Sequence, residues 1–118
     1  MNDKEKWLKE HLAASRVLDV GERQSIDGLN SKAISEADLS SCIDILEVQL
    51  SVDALPPLVE LMKDSSRQIS IRQQAARAIH KIGVDYVRSE LENLNTSNSE
   101  ELRHLAKIAL EGSITFCK

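Results

Sequence analysis

Between Ala54 and Gly83 the apolar residues recur at helical spacing, in two runs divided by a polar turn. Leu55, Leu58, Val59, Leu61 and Met62 form the first stripe, and Ile71, Ala75, Ala78, Ile79 and Ile82 the second. Apolar positions three and four apart share one face of an α-helix, so this stretch predicts two amphipathic helices packed through those faces. Asp53 is the expected N-cap of the first. Pro56 and Pro57 fall in its first turn, where a missing N–H breaks few helical bonds. Lys63-Asp64-Ser65-Ser66-Arg67 closes that helix, and Gly83 stops the second. The small residues Ala75, Ala76 and Ala78 let a neighbouring helix approach closely.

The rest of the chain repeats this grammar. Residues 3 to 20 predict a helix with Trp7, Leu8, His11, Leu12, Ser15 and Leu18 on one face, ended by Gly21. A short helix follows within residues 22 to 31, anchored by Ile26 and Leu29, with Gly28-Leu29-Asn30-Ser31 as its exit. Ser35 is the expected N-cap of a helix running to about Leu50. Glu36 and Asp38 suit the positive end of its dipole, and Leu39, Cys42, Ile43, Leu46 and Leu50 face inward. Asp85 is expected to cap a helix from Tyr86 to about Asn95, built on Val87, Leu91 and Leu94. Ser97 and Glu100 have the spacing of a capping box for the last helix, carried by Leu102, Leu105, Ala106, Ala109 and Leu110, with Gly112 as its stop. Ile114 and Phe116, in the apolar tail, are expected to fold back over the open end.

A chain of 118 residues fits one domain. It holds one Trp, one Tyr and one Phe. The core must therefore be aliphatic, and the aromatic platforms that stack single-stranded bases are missing. The net charge of −4 argues against nucleic acid as a partner. It is unevenly spread: residues 1–65 hold 13 acidic against 7 basic side chains, residues 66–118 hold 6 against 8. From Ser35 to Asp53 there is no Lys or Arg. Two cysteines, Cys42 and Cys117, make no disulfide framework. The charged start, MNDKEKWLKEHL, is not an apolar leader, and no apolar run nears the roughly 20 residues that span a bilayer. A cytoplasmic protein away from membranes is the expectation.

Two features recur at one period. Ser51-Val52-Asp53 returns as Gly83-Val84-Asp85, 32 residues on, and Ile71-Arg72-x-x-Ala75 returns as Leu102-Arg103-x-x-Ala106, 31 residues on. A period near 30 is that of short helical repeats. With the apolar-Pro opening, the Leu-x-x-Leu-Met run and the closing Ile-Gly, residues 35–112 resemble HEAT-like repeats of the short variety in phycobilisome-lyase-type proteins. The resemblance implies an all-α, α-α superhelix (a HEAT-like or armadillo-type solenoid fragment) of about seven helices in a single domain. Residues 1–34 would be an N-terminal helical cap, 35–112 the repeats and 113–118 the tail. In such repeats an Arg at the place of Arg72 and Arg103 braces neighbouring units, with Asp64 and Asp85 the candidate partners here.

The resemblance also brings enzymes into view, and the residues argue against them. HEAT-like di-iron hydroxylases carry His-Glu pairs in several repeats. Here Arg103-His104 is followed by Leu105, Arg72 by Gln73, and Glu10-His11 has the reverse order. Bilin lyases enclose a large ligand with more repeats and more aromatics than this chain has. No phosphate-binding glycine loop, Gly-x-Ser-x-Gly or Cys-x-x-Cys is present. The expectation is a protein without catalysis, metal or cofactor: an interaction module, adaptor or scaffold. Its partner would be another protein, one with an acidic surface suiting a face of Gln73, Gln74, Arg77, Lys81, Arg103, His104 and Lys107. The acidic patch of Glu36, Asp38, Asp44 and Glu47 at the other end would also allow head-to-tail self-association. The alternatives are an accessory or lyase-type protein of tetrapyrrole or phycobilisome metabolism, and a nucleic-acid accessory factor.

Overall fold

The computed structural model describes residues 2–13 and 20–112, with the backbone alone for 12 and 13. These residues are all-helical: α1 (Asp3–Ala13), α2 (Val20–Asn30), α3 (Glu36–Gln49), α4 (Leu55–Lys63), α5 (Ile69–Gly83), α6 (Arg88–Asn95) and α7 (Glu100–Glu111). The recurring Val-Asp pairs both lie in 3-10 turns, Val52–Ala54 and Val84–Tyr86, each leading into a following helix.

The helices pack as neighbours in sequence, α2 on α3, α4 on α5 and α6 on α7. The second helices of these pairs also touch, α3 against α5 and α5 against α7. Side-chain bonds set their direction. Gln74 Nε2 donates to Asp44 Oδ1 (2.9 Å) and the Ser40 carbonyl (3.1 Å), and Lys81 Nζ lies 3.6 Å from Glu47 Oε2. On the other side Arg72 meets Glu101, and His80 Nδ1 lies 3.2 Å from the Ala109 carbonyl oxygen. Partners advance together along both helices of each pair, so α3, α5 and α7 run parallel in one row.

The core lies between this row and the first helices. Leu55, Leu58, Val59, Met62, Ile79, Leu91 and Leu105 are fully buried, as are Leu39, Ile43 and Leu46 of α3. At Gly28, α2 packs tightly on Cys42 of α3. A Cβ there would stand 2.6 Å from Cys42 Sγ and 3.3 Å from Ile34 Cδ1. Alanine gains about 1 kcal/mol of helix propensity over glycine, whereas overpacking costs about 1–3 kcal/mol. Gly28→Ala should therefore be destabilising or neutral in the wild-type chain and clearly stabilising in a Cys42→Ala background. Urea unfolding of the four proteins measures this, and stabilisation by Gly28→Ala alone would refute it.

Several helix ends differ from expectation, for physical reasons. Gly21 is no stop but lies in the first turn of α2. Leu50 does not face inward: it is the C-cap of α3, with φ 53° and ψ 47°, which turns it off the helical stripe and leaves it 52% exposed. Asp53 is not the N-cap of α4: Ala54 holds that place, and Asp53 sits inside a 3-10 turn with its buried carboxylate 3.1 Å from His11 Nε2. Asp85 likewise binds Arg88 (2.8 and 3.0 Å) rather than a helix N-terminus. Ser99, not Ser97, caps α7, accepting from the Leu102 N–H at 3.2 Å. Ser35 does cap α3, accepting from the Asp38 N–H at 3.1 Å. Gly83 ends α5 at φ 156°, with the Tyr86 ring packed where a Cβ would be. Ser15, Leu18, Ile114, Phe116 and Cys117 lie outside the described residues, as does the Leu12 side chain.

Two other helix starts, those of α5 and α6, receive carboxylates from afar. Glu36 of α3 accepts from the Gln68 N–H (3.2 Å) and from Arg67 (3.0 Å) at the start of α5. Glu5 of α1 accepts from the Ser89 N–H (2.6 Å) and hydroxyl (2.9 Å) at the start of α6. Partial burial pushes the Glu5 carboxyl up, but the bonds from Ser89 and Asn2 outweigh it and hold the group below its ordinary value of 4.5. A carboxylate whose folded pKa is depressed contributes stability above its unfolded value and loses it as pH falls through the folded one. Wild type should therefore be more stable than Glu5→Gln near neutrality, and the difference should close as pH drops below 4.5. Thermal melts across the acid range test this; a constant difference would contradict it.

Candidate partner-binding face

The seven residues expected to line one face do not form one. Helical geometry, at 100° per residue, puts Gln73, Arg77 and Lys81 on the side of α5 turned away from α4, and His104 and Lys107 on the matching side of α7. Arg77, Lys81, His104 and Lys107 are exposed, and Gln73 is half-buried. Gln74 is no free contact residue: besides its bonds to Asp44 and the Ser40 carbonyl, it accepts from the Ser40 hydroxyl at 2.8 Å. Its amide has one short polar partner after another on α3, so it serves the α3–α5 seam. Arg103 is also committed, donating to the Ser97 carbonyl at 2.6 Å and holding the α6–α7 turn. The remaining outward line is Gln73, Arg77 and Lys81 on α5 beside Glu100, His104, Lys107 and Glu111 on α7. It is less basic than the sequence reading, because two acids share the α7 face.

The acidic helix is also partly neutralised within the chain. Glu47 faces Lys81, Asp44 accepts from Gln74, and Glu36 holds Arg67 and the start of α5. Of the opposite charges invoked for head-to-tail assembly, Glu47 and Lys81 meet across the α3–α5 seam. Asp38 remains exposed, and so does Asp44.

Arg72 is a brace, with partners other than the expected Asp64 and Asp85. Its side chain is buried. Nε donates to the Met62 carbonyl (2.9 Å) at the end of α4, and the guanidinium reaches Glu101 in the first turn of α7. Asp64 instead accepts from the Ser66 N–H and hydroxyl, closing the α4–α5 turn. The sequence held a signal for this: Glu101 lies in the first turn of α7, where a carboxylate is favoured anyway.

A polar cluster that sequence reasoning missed joins α1, α2 and the first 3-10 turn. The Ser51 hydroxyl donates to Glu22, both buried, and His11 faces Asp53 nearby. Trp7 stacks on His11 with centroids 4.5 Å apart and meets Tyr86 at 5.8 Å, so α1 bridges both 3-10 turns. Burial, with Asp38 nearby, pushes the Cys42 thiol up, which leaves it a poor nucleophile. Among the described residues no three His, Cys, Asp or Glu side chains are placed to hold a metal ion. No described helix is long and apolar enough to cross a membrane. No family model, curated protein or solved structure matches the chain.

Proposed function

We propose that the chain is a fragment of an α-α superhelix of HEAT-like type that acts as a non-catalytic adaptor. It binds another protein through the outer side of α5 and α7. One observation carries this reading: the parallel row of α3, α5 and α7, with the first helices behind it, leaves the far side of the row uncovered by any described element. A surface of that kind is what helical repeats offer to partners. Arg77, His104 and Lys107 stand on it and form no ion pair among the described residues, so they are available to a partner carboxylate. The chain's Cα radius of gyration, 13.7 Å, is close to the roughly 13.5 Å of a compact chain of this length. So short a stack has little room to curve.

The test is capture from cells that make the protein, with Arg77→Glu and Lys107→Glu combined. Both residues are exposed, so the variant should keep its helical spectrum and melting temperature. A partner held by wild type and lost by the folded variant supports the reading. Equal retention by both proteins moves the contact off this face. Retention of no protein by wild type would count against an adaptor altogether.

A further inference from the structure

The outer side of α3 carries a second, apolar surface beside the α5–α7 face. The outward stripe of α3 is Ala37, Ser41, Ile45 and Val48, all exposed. Val48 is 81% exposed and Ile45 45%, and Leu50 and Val20 extend the apolar area at the adjoining ends of α3 and α2. The opposite face of α3 is filled by Leu39, Ile43 and Leu46, and one flank by α5, so the stripe is surplus to the fold. On the same outer side α7 is polar, with Glu100, His104, Lys107 and Glu111 exposed. At α3 this side is apolar instead, with Ile45 and Val48 exposed.

We infer that this stripe docks a basic amphipathic helix of a partner protein, laid along the outer side of α3. Its apolar side meets Ile45 and Val48. Its Lys or Arg side chains meet Asp38 and Asp44, which flank the stripe about 60° round the helix on either side. Asp44 stands between the stripe and α5, so a partner cation on that side meets it before Arg77. A second copy of the chain fits worse. Ser35 to Asp53 holds no Lys or Arg, so α3 against α3 would set like charges together.

The probe is a synthetic labelled helix of about 20 residues, with Leu at three-four spacing and Lys and Arg on both flanks. Its counterpart carries Glu in their place. Fluorescence anisotropy at physiological salt should show saturable binding of the basic helix and at least about tenfold weaker binding of the acidic one. Ile45→Lys or Val48→Lys should weaken the basic helix at least about tenfold, with circular dichroism unchanged. Asp38→Lys with Asp44→Lys should reverse the preference between the two probes. Failure of the basic helix to saturate, or equal binding by Val48→Lys, would overturn the inference. So would a wild-type dimer in sedimentation that Val48→Lys dissolves, which would give the stripe to a second copy.

Discussion

Arg72→Ala should be among the most damaging single substitutions in this protein, costing about 3 kcal/mol. Arg72 is 2% exposed, and its guanidinium ties three helices: its own α5, the end of α4 through the Met62 carbonyl, and α7 through Glu101. Removing it empties a buried volume and leaves the Met62 carbonyl without this donor. Glu101 loses less, because its side chain is 51% exposed and can return to water. That tempers the estimate relative to a fully buried ion pair. Domains of this size hold about 5–15 kcal/mol in all, so the midpoint of urea unfolding should fall markedly. Lysine will not rescue it, since one ammonium cannot reproduce the guanidinium's divergent donors. Arg103→Ala, at the equivalent sequence place but half-buried over its own turn, should cost clearly less. A loss within about 0.5 kcal/mol for Arg72→Ala would rule out the brace.

Ile79→Ala should cost a comparable amount, about 3 kcal/mol, through a cavity between α5 and its neighbours. Ile79 is fully buried, in a helix that touches α3, α4 and α7, so the space can collapse only by moving several helices. Ile45→Ala removes the same atoms from a site 45% exposed and unfilled on its outer side. There the lost burial is small and alanine's helix propensity offsets it, leaving a change near zero. Parallel thermal melts give the contrast directly. Equal destabilisation by both would mean that the α3 stripe is packed, which would also remove the basis for a docked helix.

Most of the helices were legible because their determinants are local. Leu58, Val59 and Met62, or Ile71, Ala75 and Ile79, declare a buried face within a few turns. Ser35 and Gly112 mark ends with their own backbone neighbours. The proposed face was legible only in part. Exposure of Arg77, His104 and Lys107 followed from position on the helix, but the use of Gln74 on α3 and of Arg103 on the Ser97 carbonyl did not. The stripe of Ile45 and Val48 was hidden for the opposite reason: in a sequence, an exposed isoleucine is indistinguishable from a buried one.

Apolar periodicity and turn residues thus determined by themselves that residues 3–111 would be largely helical, roughly where helices begin, and that a short junction would recur. Only the tertiary structure decided which charges serve the fold. Glu5 caps a helix 84 residues away and Glu36 one 32 residues away, while Asp53 and Asp85, well placed in the sequence, do neither. A helix N-terminus offers several unsatisfied N–H groups and accepts any carboxylate that packing brings near. Local sequence names candidates for that role. Proximity set by the core chooses among them.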